Sequence, residues 1–493
     1  MKFKIKLKPI FKSIALTFIT QIIVLFGLLL IYRLIANSFG PTGVGEYSLI
    51  KKSVSLLSPL LLLGLCMGIP RYIAMSNDKE ERSSYMRTSL IAIFLTFIFL
   101  IFINIFKEQF AKIIFGNIEY TTFVLPFSFL LIGIVLHSLI YSYFRGRLLV
   151  NIFNVMQIIN LVLVPLFAVV FLKNASIYKL ISCMGIGTLT ISLIFFLFFA
   201  NEFFVHVKKL QIKKSLKILF RYSLPRIPGS FALSGFFSLG PILAAHTSSM
   251  EEVGYLSLGQ MLVTTTAAAI TPLGLILLPK VSSMVAQNKK EKIKKDLNYL
   301  IGASIQLSIF LSFQLIIFTD VIIKYWLGSE FFKAIPIIQI MSCSIFFYLF
   351  YRTVGSIIDA TETKPINTIN LIASLGVFLI ISVILLFIIK IFSPIISLSI
   401  AFAVGLICLG ILSYVSIRKL YPEKFGKDLK YFLIAVGINI IIGILAIITK
   451  LFLISNLYYF IIFEILMATI YLLALWLLKI DWIKKLPKKI LIN

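Results

Sequence analysis

The sequence is short of charged residues, and the charges that it has are mostly of one sign. Of its 493 residues, 13% are charged and 60% are hydrophobic, whereas about 25% of the residues of a typical soluble protein are charged. The 47 Lys and Arg residues outnumber 19 Asp and Glu residues, which gives a formal net charge of +28. This composition excludes an ordinary soluble globular domain and indicates a membrane protein.

Catalytic and cofactor-binding motifs are also missing. There is no GxxxxGK[ST] phosphate loop, no HExxH helix and no pair of cysteines with metal-ligand spacing. The glycine-rich stretch 40–45 joins two apolar helices rather than a strand and a helix, so it predicts a tight extracytoplasmic turn. We therefore expect neither an enzyme nor a bound cofactor or metal. All four cysteines are expected to be small buried hydrophobic residues, namely Cys66, Cys183, Cys343 and Cys408.

Long apolar runs fill most of the chain and predict fourteen transmembrane helices. Each run reaches the roughly 20 residues of helix that cross a hydrocarbon core. Helices are required because backbone groups in lipid must bond to each other, so we predict an all-α polytopic membrane protein. The predicted spans are 13–36, 45–69, 86–106, 121–144, 150–172, 177–200, 222–246, 253–278, 297–319, 334–356, 366–389, 394–417, 430–449 and 454–478.

A sequence motif recurs at a constant offset of 209 residues. The first copy consists of 44–49 (VGEYSL), an apolar run and 69–71 (IPR), and the second consists of 253–258 (VGYLSL), an apolar run and 278–280 (LPK). Six of 28 aligned positions are identical, and the turn glycine, apolar run, proline and basic residue recur together. In a membrane protein, two related halves predict a transporter that moves one half against the other.

The repeat and two basic stretches divide the chain. We expect a six-helix bundle at 1–202, a cytoplasmic basic linker at 203–221, a second six-helix bundle at 222–418, and two further helices with a basic tail at 419–493. An even number of spans per half gives both bundles the same orientation. The linker predicts either a solvated basic segment or an amphipathic helix on the inner leaflet, with three leucines toward lipid: Leu210, Leu216 and Leu219.

The distribution of basic residues predicts the topology. Under the predicted spans, most of the 47 Lys and Arg residues fall on the side of the N-terminus, and far fewer fall on the other side or within spans. Because cytoplasmic loops carry an excess of Lys and Arg, both termini are predicted to be cytoplasmic. The positive charge then favours anionic membrane lipids as partners and not nucleic acid.

Three basic residues in the first two spans are candidates for a substrate site. Such charges cost roughly 2.5–3.5 kcal/mol each on insertion scales and by default face a cavity. Arg33, Lys51 and Lys52 are predicted at similar depth in the outer third of the membrane, and Glu46 is placed to pair with one of them. At least two positive charges then remain for an anionic ligand, unless the side chains extend to the outer interface instead.

Three further ionisable residues complete the candidates. Arg226 lies in 224–229 (LPRIPG), where prolines interrupt the helix near a cation, so it is either a phosphate ligand or an anchor on lipid phosphates. His137 is either a buried histidine bonded to a neighbour or a proton-coupling group. Glu464 lies deep in the last predicted span, and Glu46, His137 and Glu464 are the candidates for coupling transport to an ion gradient.

Several stretches resemble the bacterial polysaccharide transporters, the O-antigen (Wzx-type) flippases of the multidrug/oligosaccharidyl-lipid/polysaccharide exporter superfamily. The resemblance covers essentially the whole length and the 6+6+2 arrangement of helices. It implies a V-shaped pair of six-helix bundles that works by alternating access. No site residue is carried over from the family. The stretches are 15–17 with 32–33, 39–48 (FGPTGVGEYS), 143–147 (YFRGR), 224–225 (LP) and 359–364 (DATETK).

The resemblance implies a flippase that moves undecaprenyl-pyrophosphate-linked oligosaccharides to the outer leaflet of the bacterial cytoplasmic membrane, alongside other proteins of O-antigen or capsule assembly. Two alternatives from the same superfamily are a peptidoglycan lipid-precursor flippase and a multidrug or cation antiporter. The antiporter would need acidic residues in its cavity, whereas this chain has cations within its spans. A membrane glycosyltransferase or polymerase would need a sizeable extracytoplasmic loop, and the predicted outer loops are short.

Overall fold

The computed structural model describes residues 7–76, 78–205, 209–268, 290–361, 365–422, 425–453 and 457–478. Across these ranges the regular structure is helical, and no strand occurs. Helices form because they satisfy every backbone group within one apolar segment. The chain divides into two compact units, Met1–Ser257 and Leu258–Asn493.

The described part of the first unit begins with the long helix α1 and ends inside α13, whose second half belongs to the second unit. Short 3₁₀ segments occur at Ile118–Phe123 and Leu224–Arg226, and a π-helical segment occurs at Ile159–Leu163. The helices are α1 (Leu7–Leu61), α2 (Leu65–Met75), α3 (Lys79–Ser89), α4 (Ile91–Ile105), α5 (Lys107–Phe115), α6 (Val124–Gly146), α7 (Val150–Ile158), α8 (Val164–Leu172), α9 (Ile177–Phe198), α10 (Ala200–Phe203), α11 (Lys209–Ser223), α12 (Ile227–Thr247) and α13 (Met250–Ala268).

Helix α1 folds back on itself at Gly40, where φ is 63° and ψ is −168°. Glycine adopts a positive φ without the strain that a Cβ atom brings, and a proline at the next position is suited to starting a helix. The two legs, 7–39 and 41–61, are therefore antiparallel neighbours. The second leg starts earlier than predicted, so Lys51 and Lys52 lie about 15 Å along it. Their depth in the membrane stays a prediction.

The two copies of the repeated motif contact each other within the first unit. A Cβ atom on Gly45 would overlap the backbone oxygen of Met250, and one on Gly254 would lie 2.8 Å from the backbone oxygen of Pro41. The two glycines thus let α1 and α13 approach backbone to backbone, as small residues do at helix contacts in membranes. The end of the second copy, 278–280, lies outside the described residues.

The basic linker forms α11 over Lys209–Ser223, which confirms a helix in this part of it. The helix packs on α2 and α3 of the first unit: the Ser215 and Ser84 hydroxyl oxygens are 2.7 Å apart. Leu219 is fully buried against Gly68 rather than facing lipid, and Leu216 is 41% exposed. The predicted start of the helix, 206–208, lies outside the described residues, as does the side chain of Leu210.

The described part of the second unit is built around the long helix α14, which contacts α16, α19 and α20. Apolar side chains from these helices form one continuous core. A 3₁₀ segment occurs at Ser329–Ala334 and a π-helical segment at Ile384–Ile389. The helices are α14 (Lys290–Trp326), α15 (Ile335–Ser342), α16 (Ile345–Thr361), α17 (Ile366–Val383), α18 (Pro394–Leu420), α19 (Phe425–Leu453) and α20 (Leu457–Leu477).

Eleven helices of the described ranges are long and apolar enough to cross a membrane, or up to twelve if the bent pair at 329–359 is one span. Every predicted span overlaps a described helix, and α1, with its two legs, counts only once among the eleven. The protein is therefore a multi-pass membrane protein, while the number fourteen stays a prediction. The expected burial of the cysteines is wrong for Cys343, which is exposed, and the other three are half-buried.

Candidate functional site

A tyrosine–lysine cluster, formed by Tyr32, Tyr47, Ser48 and Lys51, lies between the two legs of α1. Lys51 Nζ donates a hydrogen bond to the Tyr47 hydroxyl at 3.1 Å and lies 5.0 Å from the centroid of that ring. The Tyr32 and Tyr47 rings meet edge to face with centroids 5.4 Å apart, and the Tyr32 and Ser48 hydroxyls are 3.3 Å apart. The rings stabilise the half-buried ammonium by cation–π attraction, worth roughly 0.5–2 kcal/mol.

Lys52 points in another direction because successive residues of a helix are turned by about 100°. Its Nζ lies 5.6 Å from the centroid of the Phe237 ring on α12. Neither lysine has a carboxylate within ion-pair distance among the described residues. Elsewhere in those residues, ion pairs join Arg147 to Glu202, Arg418 to Asp428 and Lys450 to Asp320. Both lysines thus remain candidates for binding an anion.

The other two outer candidates are arranged differently. Arg33 is exposed and continues a stripe of exposed apolar residues on α1 that includes Phe26 and Leu30. Such a stripe is typical of a surface that faces lipid, and Arg33 is placed to extend along it to the interface. Glu46 is half-buried and forms no ion pair with Arg33 or with either lysine. The carboxylate therefore does not cancel the charge of the lysines.

An arginine cluster, formed by Arg71, Tyr222 and Arg226, lies at the predicted cytoplasmic end of the first unit. The guanidinium of Arg226 stacks on the Tyr222 ring, 3.6 Å from its centroid, and Nη1 donates to the Tyr222 backbone oxygen at 2.6 Å. The guanidinium of Arg71 lies 4.6 Å from the same centroid. Neither arginine has a carboxylate partner in the described part of the chain. Two planar groups with several N–H donors each are thus held on one ring.

The local sequence explains how Arg226 reaches Tyr222. Helix α11 ends at Ser223, one 3₁₀ turn covers Leu224–Arg226, and α12 starts at Ile227. Proline is tolerated in the first turn of a helix because its missing N–H is not needed there. The two prolines at 225 and 228 accordingly stand at the starts of these two segments. The predicted interruption of the helix is confirmed, and it places Arg226 one turn after the tyrosine.

Arg71 and Tyr222 are absent from the site residues predicted from sequence. The only signal for Arg71 is that it closes the first copy of the repeat. A tyrosine in an apolar helix carries no signal of its own, because its ring is equally suited to core packing. Only the packing of α2 against α11 brings the two side chains together.

The two remaining coupling candidates lie in different units. His137 is buried, and its Nδ1 is 2.8 Å from the amide nitrogen of Asn160, which also donates to Ser192 at 3.2 Å. His137 is thus bonded to a neighbouring side chain, which is one of the two arrangements that the sequence predicts for it. Glu464 is half-buried in the second unit, and its Oε1 atom is enclosed without a hydrogen-bond partner among the described residues.

Comparison with known proteins gives the family. Residues 10–285 match the family described as "Polysaccharide biosynthesis protein", which is more than half of the chain. The chain belongs to this family. The match confirms the resemblance to polysaccharide transporters, although no curated protein sequence matches the chain.

Solved structures with the same architecture come from two groups of exporters. The "Lipid II flippase MurJ, inward closed conformation" gives a TM-score of 0.72 at 16% identity, over 94% of this chain and 98% of that one. An inward-facing multidrug resistance MATE family transporter of the MOP superfamily gives 0.65 at 13%, over 81% and 94%. The MATE multidrug transporter DinF-BH gives 0.61 at 15%, over 84% and 97%. At these identities the likeness shows the fold, which confirms the predicted exporter fold class.

Proposed function

We propose that the protein is a flippase that moves undecaprenyl-pyrophosphate-linked oligosaccharides from the inner to the outer leaflet of the bacterial cytoplasmic membrane by alternating access. The product serves the assembly of a surface polysaccharide such as O-antigen or capsule. Membership of the polysaccharide biosynthesis protein family and the fold shared with a lipid II flippase support this function. Cytoplasmic termini and other polysaccharide assembly proteins as partners belong to the same proposal.

The observation that carries the proposal is the pair of lysines in α1 that have no carboxylate partner among the described residues. A pyrophosphate head carries at least two negative charges, and moving such a group through hydrocarbon unaided is prohibitive. Lys51 and Lys52 offer two basic groups within an apolar helix that is long enough to cross the membrane. Their neighbours are neutral rings rather than carboxylates. The undecaprenyl tail stays in the bilayer beside the protein.

The arginine cluster is suited to receive the head first. Guanidinium groups bind phosphate oxygens with two parallel N–H donors, which gives direction as well as charge. Arg71 and Arg226 share one tyrosine ring, so one pyrophosphate can contact both. On the predicted topology the cluster faces the cytoplasm, where lipid-linked units are made. The head then passes from guanidinium groups at the inner end to ammonium groups of α1.

Complementation tests the substrate class. The chain is expressed in one strain that lacks its flippase for lipid-linked polysaccharide units, and in a second strain depleted of its peptidoglycan precursor flippase. We expect surface polysaccharide to return in the first strain, while the second strain still lyses. Growth of the second strain alone would instead assign a peptidoglycan precursor as substrate. Failure in both strains, with the protein present in the membrane, would contradict the proposal.

A further inference from the structure

Three polar side chains occur on helices of the second unit's apolar core, two of them buried and one half-buried, and we name them the polar triad: Gln314 on α14, Asn439 on α19 and Glu464 on α20. Gln314 is 7% exposed and Asn439 is fully buried. Both amide atoms of Gln314, the Asn439 side-chain oxygen and Glu464 Oε1 lack a hydrogen-bond partner in the described part of the chain. Each unsatisfied buried group costs roughly 1–3 kcal/mol, so a proton or small ligand that supplies the missing hydrogen bonds is stabilised at these atoms.

Contacts between α14 and α20 put two members of the triad at the same depth. The Tyr471 hydroxyl donates to the Gln306 backbone oxygen at 2.8 Å, and the Phe318 and Phe463 rings have centroids 5.8 Å apart. The helices therefore run antiparallel, and the triad residue of each helix lies between its two contact points. It also lies on the contacting face, because residues about four, seven or eight apart share one side of a helix.

Helix α19 brings the third member to the same level. Gln306 Nε2 donates to the Tyr431 backbone oxygen at 2.9 Å, and a Cβ atom on Gly443 would lie 3.1 Å from Ile317. Helices α14 and α19 therefore run parallel here. Asn439 follows Tyr431 by the same number of residues as Gln314 follows Gln306. The register thus places Gln314 and Asn439 at similar positions along α14 and α19, and the Asn439 side chain also bonds to the Tyr471 hydroxyl.

No charged side chain among the described residues is placed to neutralise Glu464. Asp320, the nearest charge on α14, is about 9 Å along the helix from the triad and is paired with Lys450. Asp428 of α19 is paired with Arg418. Tyr348, Tyr351 and Arg352 of α16 lie near the level of Thr353, which bonds to Ser304, and Ser304 is about 15 Å along α14 from Gln314. The remaining charged or titratable groups of the packed helices lie nearer the helix ends or, like Tyr471, donate to the backbone: Glu291, Lys294, Asp296, Tyr299, Lys324 and Tyr325 of α14, Asp359 of α16, Lys430 and Tyr431 of α19, and Tyr458 and Tyr459 of α20.

We propose that Glu464 is a proton-binding site whose protonated carboxyl donates to an amide oxygen of the triad, and that this proton couples transport to the proton gradient. The carboxylate and a proton combine to the neutral acid, and the reverse step returns the proton to water. Hard metal cations in proteins take about six or more oxygen ligands, whereas a proton needs one acceptor. The coupling role rests on the proposed flippase function, while the proton site rests on the triad alone.

Dicyclohexylcarbodiimide tests the site on the purified full-length protein, because it modifies protonated carboxyl groups in apolar surroundings. Mass spectrometry should find Glu464 modified at mildly acidic pH, with modification falling about tenfold per pH unit above its midpoint. Asp320, paired with Lys450, is the internal control and should stay unmodified. An unmodified Glu464, or protection of it by sodium ions at constant pH, overturns the proposal.

The substitution Gln314→Lys tests whether the triad side chains meet. An ammonium beside the carboxylate favours its charged form, so modification of Glu464 should be lost. The matched variant Thr469→Lys carries its ammonium on the exposed side of α20 and should leave Glu464 reactive. Both variants should retain the unfolding temperature of the wild-type protein. If Glu464 is then modified equally in Gln314→Lys and Thr469→Lys, the placement of the triad is overturned.

Transport in vesicles tests the coupling role separately. With a pH gradient, Glu464→Gln should bind a lipid-linked oligosaccharide as the wild-type protein does but lose the response of flipping to the gradient. A variant that still responds overturns the coupling role and leaves the flippase function standing. If instead the wild-type protein flips no lipid-linked glycan, the flippase function fails, while the modification of Glu464 still reports on the proton site.

Discussion

At the scale of single residues, the partner of each cation decides whether its charge is available. Arg418 and Lys450 lie against carboxylates, at 2.6 Å and 2.5 Å, so their charges are compensated within the fold. Lys51 and Arg226 instead lie against tyrosine rings. A ring attracts a cation through its quadrupole but carries no net charge to cancel. Among the described residues, no carboxylate therefore cancels the charge of Lys51 or Arg226, which leaves both as candidates for binding an anionic head.

The double substitution Lys51→Ala with Lys52→Ala should abolish flipping while the protein still inserts. It removes both charges, whereas each Lys→Arg replacement keeps the charge and should preserve part of the activity. Flipping is measured as the appearance of lipid-linked oligosaccharide at the outer face of membrane vesicles. Lys173→Ala, which removes an exposed lysine after α8, is the control. Normal flipping by the double variant would show that the two lysines are structural.

Substitution of Arg226 should weaken binding of the pyrophosphate head. Arg226→Ala removes a guanidinium whose hydrogen bonds to a charged phosphate are worth roughly 1.5–3 kcal/mol each, so affinity for a short-chain polyprenyl pyrophosphate should fall about tenfold or more. Arg226→Lys should recover only part of the loss, because an ammonium cannot offer two parallel donors. Binding is measured by calorimetry on purified protein.

The control for this series is Arg147→Ala, which breaks the ion pair with Glu202 instead. It should leave pyrophosphate binding unchanged even where it lowers stability. If Arg147→Ala and Arg226→Ala reduce affinity equally, the arginine cluster is not a specific site.

At the scale of elements, two glycines determine how the two legs of α1 pack. Gly40 reverses the chain within one residue, and Gly45 lets the second leg lie against the backbone of α13. The reversal places Tyr32 of one leg beside Tyr47 and Lys51 of the other. The turn at Gly40 therefore brings the residues of the tyrosine–lysine cluster together. The contact of Gly45 with α13 then positions the second leg, which carries both lysines.

Gly45→Ala should destabilise the protein, because the added methyl group overlaps the Met250 carbonyl oxygen. Overpacking of this kind costs roughly 1–3 kcal/mol. Gly376→Ala is the matched control, since it lies in α17 with nothing within 4 Å of the added atom. There the alanine should raise stability by about 0.5–1 kcal/mol through helix propensity. Thermal unfolding in detergent compares the two, and equal shifts would mean that α1 and α13 do not touch at Gly45.

At the scale of the whole molecule, the proposed proton site predicts how flipping is driven. If a proton gradient drives the proposed transport, collapse of the ion gradients with ionophores should stop net flipping in membrane vesicles, whereas removal of ATP should have no effect. Flipping that continues at its normal rate after ionophore treatment would rule out ion coupling.

Individual residues show which features of the fold and of the candidate site could be predicted from the sequence. The helices were predictable because hydropathy over some 20 residues is enough to place a segment in lipid. Lys51, Lys52 and Arg226 were found as charges out of place in apolar surroundings. Arg71 and Tyr222 were not, since a basic residue at a helix end and a tyrosine in a helix are ordinary there. Leu219 faces the first unit instead of lipid because helix packing, and not amphipathicity alone, decides which side is buried.

The sequence by itself determined the class of this protein: apolar runs require helices in lipid, and the repeat and the motifs of 39–48 indicate an exporter of the polysaccharide family. Only the tertiary structure decided which ionisable groups come together. Arg71 lies beside the ring of Tyr222, although the two residues are far apart in the sequence. The packing of α14 against α20 likewise places Gln314 near the depth of Glu464. The physical reason is that hydropathy and turn formation depend on residues close together in the sequence. A site depends instead on how distant helices pack and on their relative register.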